Sequence, residues 1–91
     1  MEKINILGID YKIEYVNIIS KECLTLGQID YLDQEIKILD ELEEDIKKVT
    51  LIHEILHGIF NQLGFEDEAA DEHLINSLAT ALYQILRQIE K

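Results

Sequence analysis

Proline is absent from the 91 residues, cysteine occurs once, glycine occurs 4 times, and 8 basic residues stand against 19 acidic ones. Each scarcity excludes something. The single cysteine, Cys23, rules out a disulfide within the chain. No sequence neighbour marks it as a reactive thiolate, so it reads as a small buried apolar residue in a reducing cytosol. Without proline, glycine alone punctuates the chain, and no linker, internal repeat or low-complexity stretch is present. The formal net charge of −11 would repel a phosphate backbone, so direct nucleic-acid binding is not expected. No apolar run is long enough to cross a bilayer. The opening "MEKINILGID" lacks the apolar centre and small-residue cleavage site of a signal peptide. The expectation is an unexported protein of the cytoplasm, with no membrane partner.

Apolar residues make up 47% of the chain, enough for a globular fold. The length fits one domain, residues 1–91, with a modest core. A domain this small benefits from a staple, and with disulfides excluded a metal is the natural one. The acid surplus serves solubility, or it attracts a basic partner protein. Its one dense run, "DELEED" from Asp40 to Asp45, reads as the start of a helix.

Hydrophobic spacing divides the chain into strands followed by helices. From Lys3 to Val16, Ile4, Ile6, Ile9, Tyr11, Ile13 and Tyr15 recur with period two, with a bend at Gly8 to Asp10. Residues 17–27 read as a connection carrying a short helix. Gly27 to Leu39 reads as a hairpin, with Ile29 and Tyr31 on one arm, Ile36 and Ile38 on the other, and Asp33–Gln34 at the turn. From Asp40 or Glu41 the period lengthens. Ile46, Val49, Leu56, Phe60 and Leu63 form a helical stripe that Gly64 ends. Phe65 to Lys91 reads as one further helix, acidic at its start and basic at its end, with a stripe of Ile75, Leu78, Ala79, Leu82, Leu86 and Ile89. The fold class expected is α+β: a small antiparallel sheet of about four strands packed on two main helices.

"LIHEILHG", Leu51 to Gly58, carries the chemistry. On a helix His53 and His57 lie one turn apart on one face, at the shoulder of the apolar stripe, where both imidazoles can reach one ion. Glu54 points one residue round, too far to share the ion but near enough to reach a water on it. This is the HExxH pattern of zinc peptidases. Zinc acidifies water and polarises a carbonyl, while the carboxylate moves the proton. Buried neutral histidines are the plainer alternative. Chance alone yields the pattern in well under ~1% of chains this long, which favours the metal.

A catalytic zinc needs a third protein ligand. Glu72 and His73 are the candidates. On a helical wheel Glu72, Asn76 and Tyr83 share the shoulder of the second stripe, and His73 points about 100° away, toward solvent. Glu72 is therefore the expected third ligand. Asn76 is placed to hydrogen-bond a ligand's free atom. Tyr83 or Tyr31 are candidate donors to a developing oxyanion. The strand from Glu35 to Leu39 is a candidate sheet edge on which an extended peptide adds as a further strand.

"HEILH" followed by "EHLINSLATAL", Glu72 to Leu82, resembles the ImmA/IrrE family of metallopeptidases within the gluzincins. That family pairs HExxH with a later helix whose glutamate precedes an asparagine and then a small core residue. Glu72, Asn76 and Ala79 occupy those places, and the hairpin "GQIDYLDQEIKI" is similar to the family's strands. The resemblance spans most of Gly27 to Leu86. It implies a minimal zincin-like core and a zinc endopeptidase of phage or mobile-element type in a bacterial host, acting on a protein substrate such as a DNA-binding repressor. His53, His57 and Glu72 would be the ligands and Glu54 the base. Ile75 departs from the family's smaller residue, and the chain is short for the family. A rival reading keeps the zinc scaffold and makes the protein an acidic inhibitor of a basic host or phage protein. A third makes it a metal-stabilised structural module. The sequence carries no signal for an oligomeric state.

Overall fold

In a computed structural model, residues 2–19 and 25–90 are described. Strands β1 (Glu2–Ile6) and β2 (Ile9–Val16) pair antiparallel around a two-residue turn, Leu7–Gly8. Both turn residues have positive φ, 49° and 96°, the type I′ geometry whose twist matches the flanking strands. The Asn5 side chain offsets the strain at Leu7. It accepts from the Gly8 N–H and donates to Asp10, both at 2.9 Å. The alternation places Ile4, Ile6, Tyr11 and Ile13 on the core face as expected. Ile9 and Tyr15, at the ends of β2, remain exposed.

Strands β3 (Gly27–Asp30) and β4 (Glu35–Leu39) form the second hairpin. Its turn takes four residues, 31–34, because Asp30 Oδ1 accepts from the N–H groups of both Leu32 and Asp33. Tyr31 therefore belongs to the turn and not to a strand arm. The short helix expected between residues 17 and 27 is absent from residues 17–19 and 25–26; the intervening segment, with Cys23, lies outside the described residues.

The sheet has the order β1-β2-β4-β3, and β2 and β4 run parallel. It is thus four-stranded but mixed, not antiparallel throughout. Period-two spacing reports which face a side chain takes and is silent on which strand lies next to which. The β4 strand enters between β2 and β3, where Ile36, Ile38 and Leu39 are buried. The strand taken as an edge is therefore central, and β3 is the edge.

Helix α1 (Glu44–Gln62) starts three to four residues later than the "DELEED" run indicates, because residues 40–42 make a turn that tucks Leu42 against the core. Glu44 and Asp45 still occupy the first turn, where the helix dipole favours them. At its far end Gly64, φ 84°, allows the Phe65 N–H to reach back to the Phe60 carbonyl at 2.9 Å, a Schellman stop. The expected single second helix is two: α2 (Glu66–Ala69) and α3 (Glu72–Ile89). Asp71 breaks them, its side chain accepting from the Leu74 N–H at 3.1 Å as an N-cap.

Among the described residues α1 is the one helix that lies on the sheet. Leu51, Ile55 and Ile59 pack on Ile6, Tyr11, Ile36 and Ile38. Helix α3 packs on the opposite side of α1 through Leu56, Ile75 and Ala79, and touches no strand among the described residues. The α+β class and two main helices hold, with the second helix stacked on the first and not on the sheet. Gly58 permits the close approach of α1, since a Cβ there would stand 3.1 Å from both Ile6 and Ile29.

Candidate metal centre

The packing of α3 on α1 sets the first turn of α3 against the middle of α1. His53 Nε2 and His57 Nε2 are 3.1 Å apart. Glu72 places one carboxylate oxygen 3.2 Å from His53 Nε2 and the other 2.8 Å from His57 Nε2. Ligands about 2.0–2.1 Å from a tetrahedral ion stand roughly 3.3 Å from one another. The His53–His57 gap is close to that edge length; Glu72 meets the two imidazoles through different carboxylate oxygens, and no other group of His, Cys, Asp and Glu among the described residues converges in this way.

The tautomer of His57 is fixed by the chain. Its Nδ1 lies 2.7 Å from the Ala69 carbonyl oxygen and donates to it. The Nε2 lone pair is then directed at His53 and Glu72. In one continuous helix that carbonyl would be taken by a backbone N–H one turn on. The break at Asp71 frees it for His57. Asn76, one turn beyond Glu72, lines the same cleft as His53. The pKa of His53 is lowered, chiefly because burial disfavours its charged form, against the pull of Glu72. A neutral imidazole is the form that binds a metal.

Glu54 is buried at the seam between α1 and β3, in the cleft that His53 and Glu72 also line. Burial raises its pKa to about 7, countered by His57 and reinforced by Glu72. A carboxyl poised near neutrality can both take and return a proton. Gly27 of β3 makes its pocket: a Cβ there would stand 2.6 Å from Thr50 Cγ2 and 3.2 Å from Glu54 Oε2. Around this seam runs a cleft in two arms. One, of about 380 Å³, is floored by Leu26, Ile46, Val49 and Thr50. The other is lined by Gln28, Ile29, Tyr31 and His57. Gly27, His53, Glu54 and Glu72 border both.

Of the expected site residues, His53, His57, Glu72, Glu54 and Asn76 come together, and His73 is exposed as anticipated. Tyr83 does not join them. It shares the wheel position of Glu72 but lies eleven residues along, about 16 Å of helix rise. Its hydroxyl donates to Asp45 at 2.6 Å instead. Tyr31, the other tyrosine considered, does line the cleft. Three contributors were not foreseen: Gly27, Thr50 and the Ala69 carbonyl. A glycine within a strand is a signal of close backbone approach; the carbonyl has no sequence signal.

The edge strand beside the cleft is β3. The Leu39 N–H donates to the Leu26 carbonyl at 2.9 Å, which turns residues 26, 28 and 30 toward β4. The backbone groups of Gly27 and Ile29 then point outward, at the cleft. The chain matches no protein-family model, no curated protein and no solved structure.

Proposed function

We propose that the protein is a zinc-dependent endopeptidase. The observation that carries this reading is the convergence of His53 Nε2, His57 Nε2 and the Glu72 carboxylate within reach of one ion, with Glu54 buried beside them. The donor set, two imidazoles and a carboxylate, suits zinc. His53, His57 and Glu72 would hold it, and a bound zinc would supply an acidified water and a polarised carbonyl. The chain's own residues supply the rest. The outward backbone of Gly27 and Ile29 pairs with an extended peptide and holds its scissile bond over the site. Glu54 accepts a proton from the attacking water and returns it to the leaving amine. Its pKa of about 7 lets it do both near neutral pH. The Ala69 carbonyl keeps the His57 imidazole aimed, and Asn76 borders the cleft beside His53. The substrate class is a regulatory protein, of which a DNA-binding repressor is the first to try.

The test pairs zinc content with cleavage. Purified protein should carry close to one zinc per chain and cut a candidate repressor or an unstructured protein. Glu54→Gln should keep the zinc and lose at least about a hundredfold in rate. Equal cleavage by both proteins would remove the hydrolytic reading.

The net charge of −11 favours a second reading, in which the zinc scaffold docks on a basic protein and inhibits it. Glu54→Gln would then leave biological activity whole, and reversing the charges of Asp40 to Asp45 would abolish it.

A further inference from the structure

The apolar stripe of α3 outruns its cover. Ile75 and Ala79 are completely buried against α1, but Leu82, Ile85, Leu86 and Ile89 are 36%, 47%, 40% and 71% exposed. Ile75, Leu78, Leu82, Ile85 and Ile89 are spaced three and four residues apart in turn, the seam of a coiled coil. The seam begins in the core and emerges along the outer half of the helix.

Charge says what covers it. Within α3 there is one acid, Glu72, and one base, Arg87, so the whole net charge of −11 lies outside this helix. The positions flanking the exposed seam, Ala81, Leu86 and Gln88, carry none. The seam positions themselves offer a basic partner no acid to pair with, the acids beside this half of the helix being Glu90 and the Asp45 bonded to Tyr83. A second copy would meet it without the repulsion that the rest of the surface imposes. The spacing is also self-complementary. With two α3 helices antiparallel about a two-fold axis, Leu82 falls opposite Ile85 and Leu78 opposite Ile89. We propose that α3 is a homodimer interface, with the Leu78, Leu82, Ile85 and Ile89 seams of two chains packed antiparallel. The helix is about 27 Å long. Two of them would bury on the order of 1,000 Å², the size of a weak, reversible contact. The proposal does not rest on the peptidase reading.

Sedimentation of the full chain from about 1 to 500 µM tests it, a range that brackets a weak dimer. The expected result is a shift from 10.6 kDa toward twice that mass, with more dimer at higher salt, because salt screens the two acidic bodies. Ile85→Glu should weaken association at least tenfold. Ile85 is outside the core, and an unchanged circular dichroism spectrum would confirm the fold. In a Cys23→Ser background, Ile89→Cys chains should form disulfides with Leu78→Cys chains and not with themselves. A wild type of 10.6 kDa throughout the range would overturn the proposal and leave the face to a foreign partner or another segment. So would an Ile85→Glu variant that associates as well as wild type. Self-crosslinking of Ile89→Cys would overturn the antiparallel arrangement.

Discussion

Glu54 is where burial and chemistry meet in one side chain. Its folded pKa of about 7 lies above the ordinary 4.5, so between those values the folded chain keeps a proton that the unfolded chain has released. Stability of the metal-stripped protein should therefore fall as pH rises from about 4.5 to about 7, by about 3 kcal/mol in all, and level off above. His53 works in the opposite sense. Its lowered pKa penalises the folded state as pH drops below 6.5, which blunts the acid end of the same curve. Melting curves in chelator across this range check the sum. Glu54→Gln should abolish the decline with rising pH, and an unchanged slope would place its source elsewhere. Gly27 is the second residue with a sharp expectation. Gly27→Ala drives a methyl into Thr50 and Glu54, so it should lower stability by about 1–3 kcal/mol and cleavage with it. Thr50→Ala in the same chain should restore part of the loss, since Thr50 Cγ2 is the nearer obstacle.

Among the elements, the break between α2 and α3 does most to shape the site. Asp71 caps α3, and the same break releases the Ala69 carbonyl to His57. Asp71→Ala should cost about 1 kcal/mol of stability. It should also weaken zinc binding, because Glu72 stands in the turn the cap organises; competition against a chromogenic chelator reads this directly. Gly64→Ala, in the equally important stop of α1, is a useful contrast. Its positive φ makes alanine cost about 1 kcal/mol, yet zinc affinity should be unchanged, since no part of the stop touches the site. The sheet order is the element-level fact that sequence spacing missed. Ile36 and Ile38 signalled a strand but not its neighbours, so β4 was placed at the edge and the open backbone of Gly27 and Ile29 went unread.

At the scale of the whole molecule, the chain is a sheet, a helix across it, and a second helix on the first. Its core is split into two small clusters that meet at α1. The cluster between α1 and α3 buries only Leu56, Ile75 and Ala79 completely or nearly so. A metal joining His53 and His57 of α1 to Glu72 of α3 would tie these helices where their packing is thinnest. Stripping zinc should lower the melting temperature by roughly 15 °C or more, the effect of a ligand held at a thousand times its dissociation constant or better on a domain this size. Differential scanning calorimetry with and without chelator decides. A change of a degree or two would mean that the ion adds nothing to the fold.

The sequence by itself determined the strands, the long helices and the spacing of His53, Glu54 and His57, because these are local: one period of side chains, one turn of helix. It also marked Glu72 over His73, since a wheel assigns azimuth. Position along the axis is a different quantity, and there the wheel misled at Tyr83. Only the tertiary structure decided what depends on elements meeting at long range. It set the parallel pairing of β2 with β4, the stacking of α3 on α1, and the depth to which Gly27 presses on Glu54. Those follow from packing, where volumes and backbone hydrogen bonds must be satisfied together, and no single stretch of residues carries them.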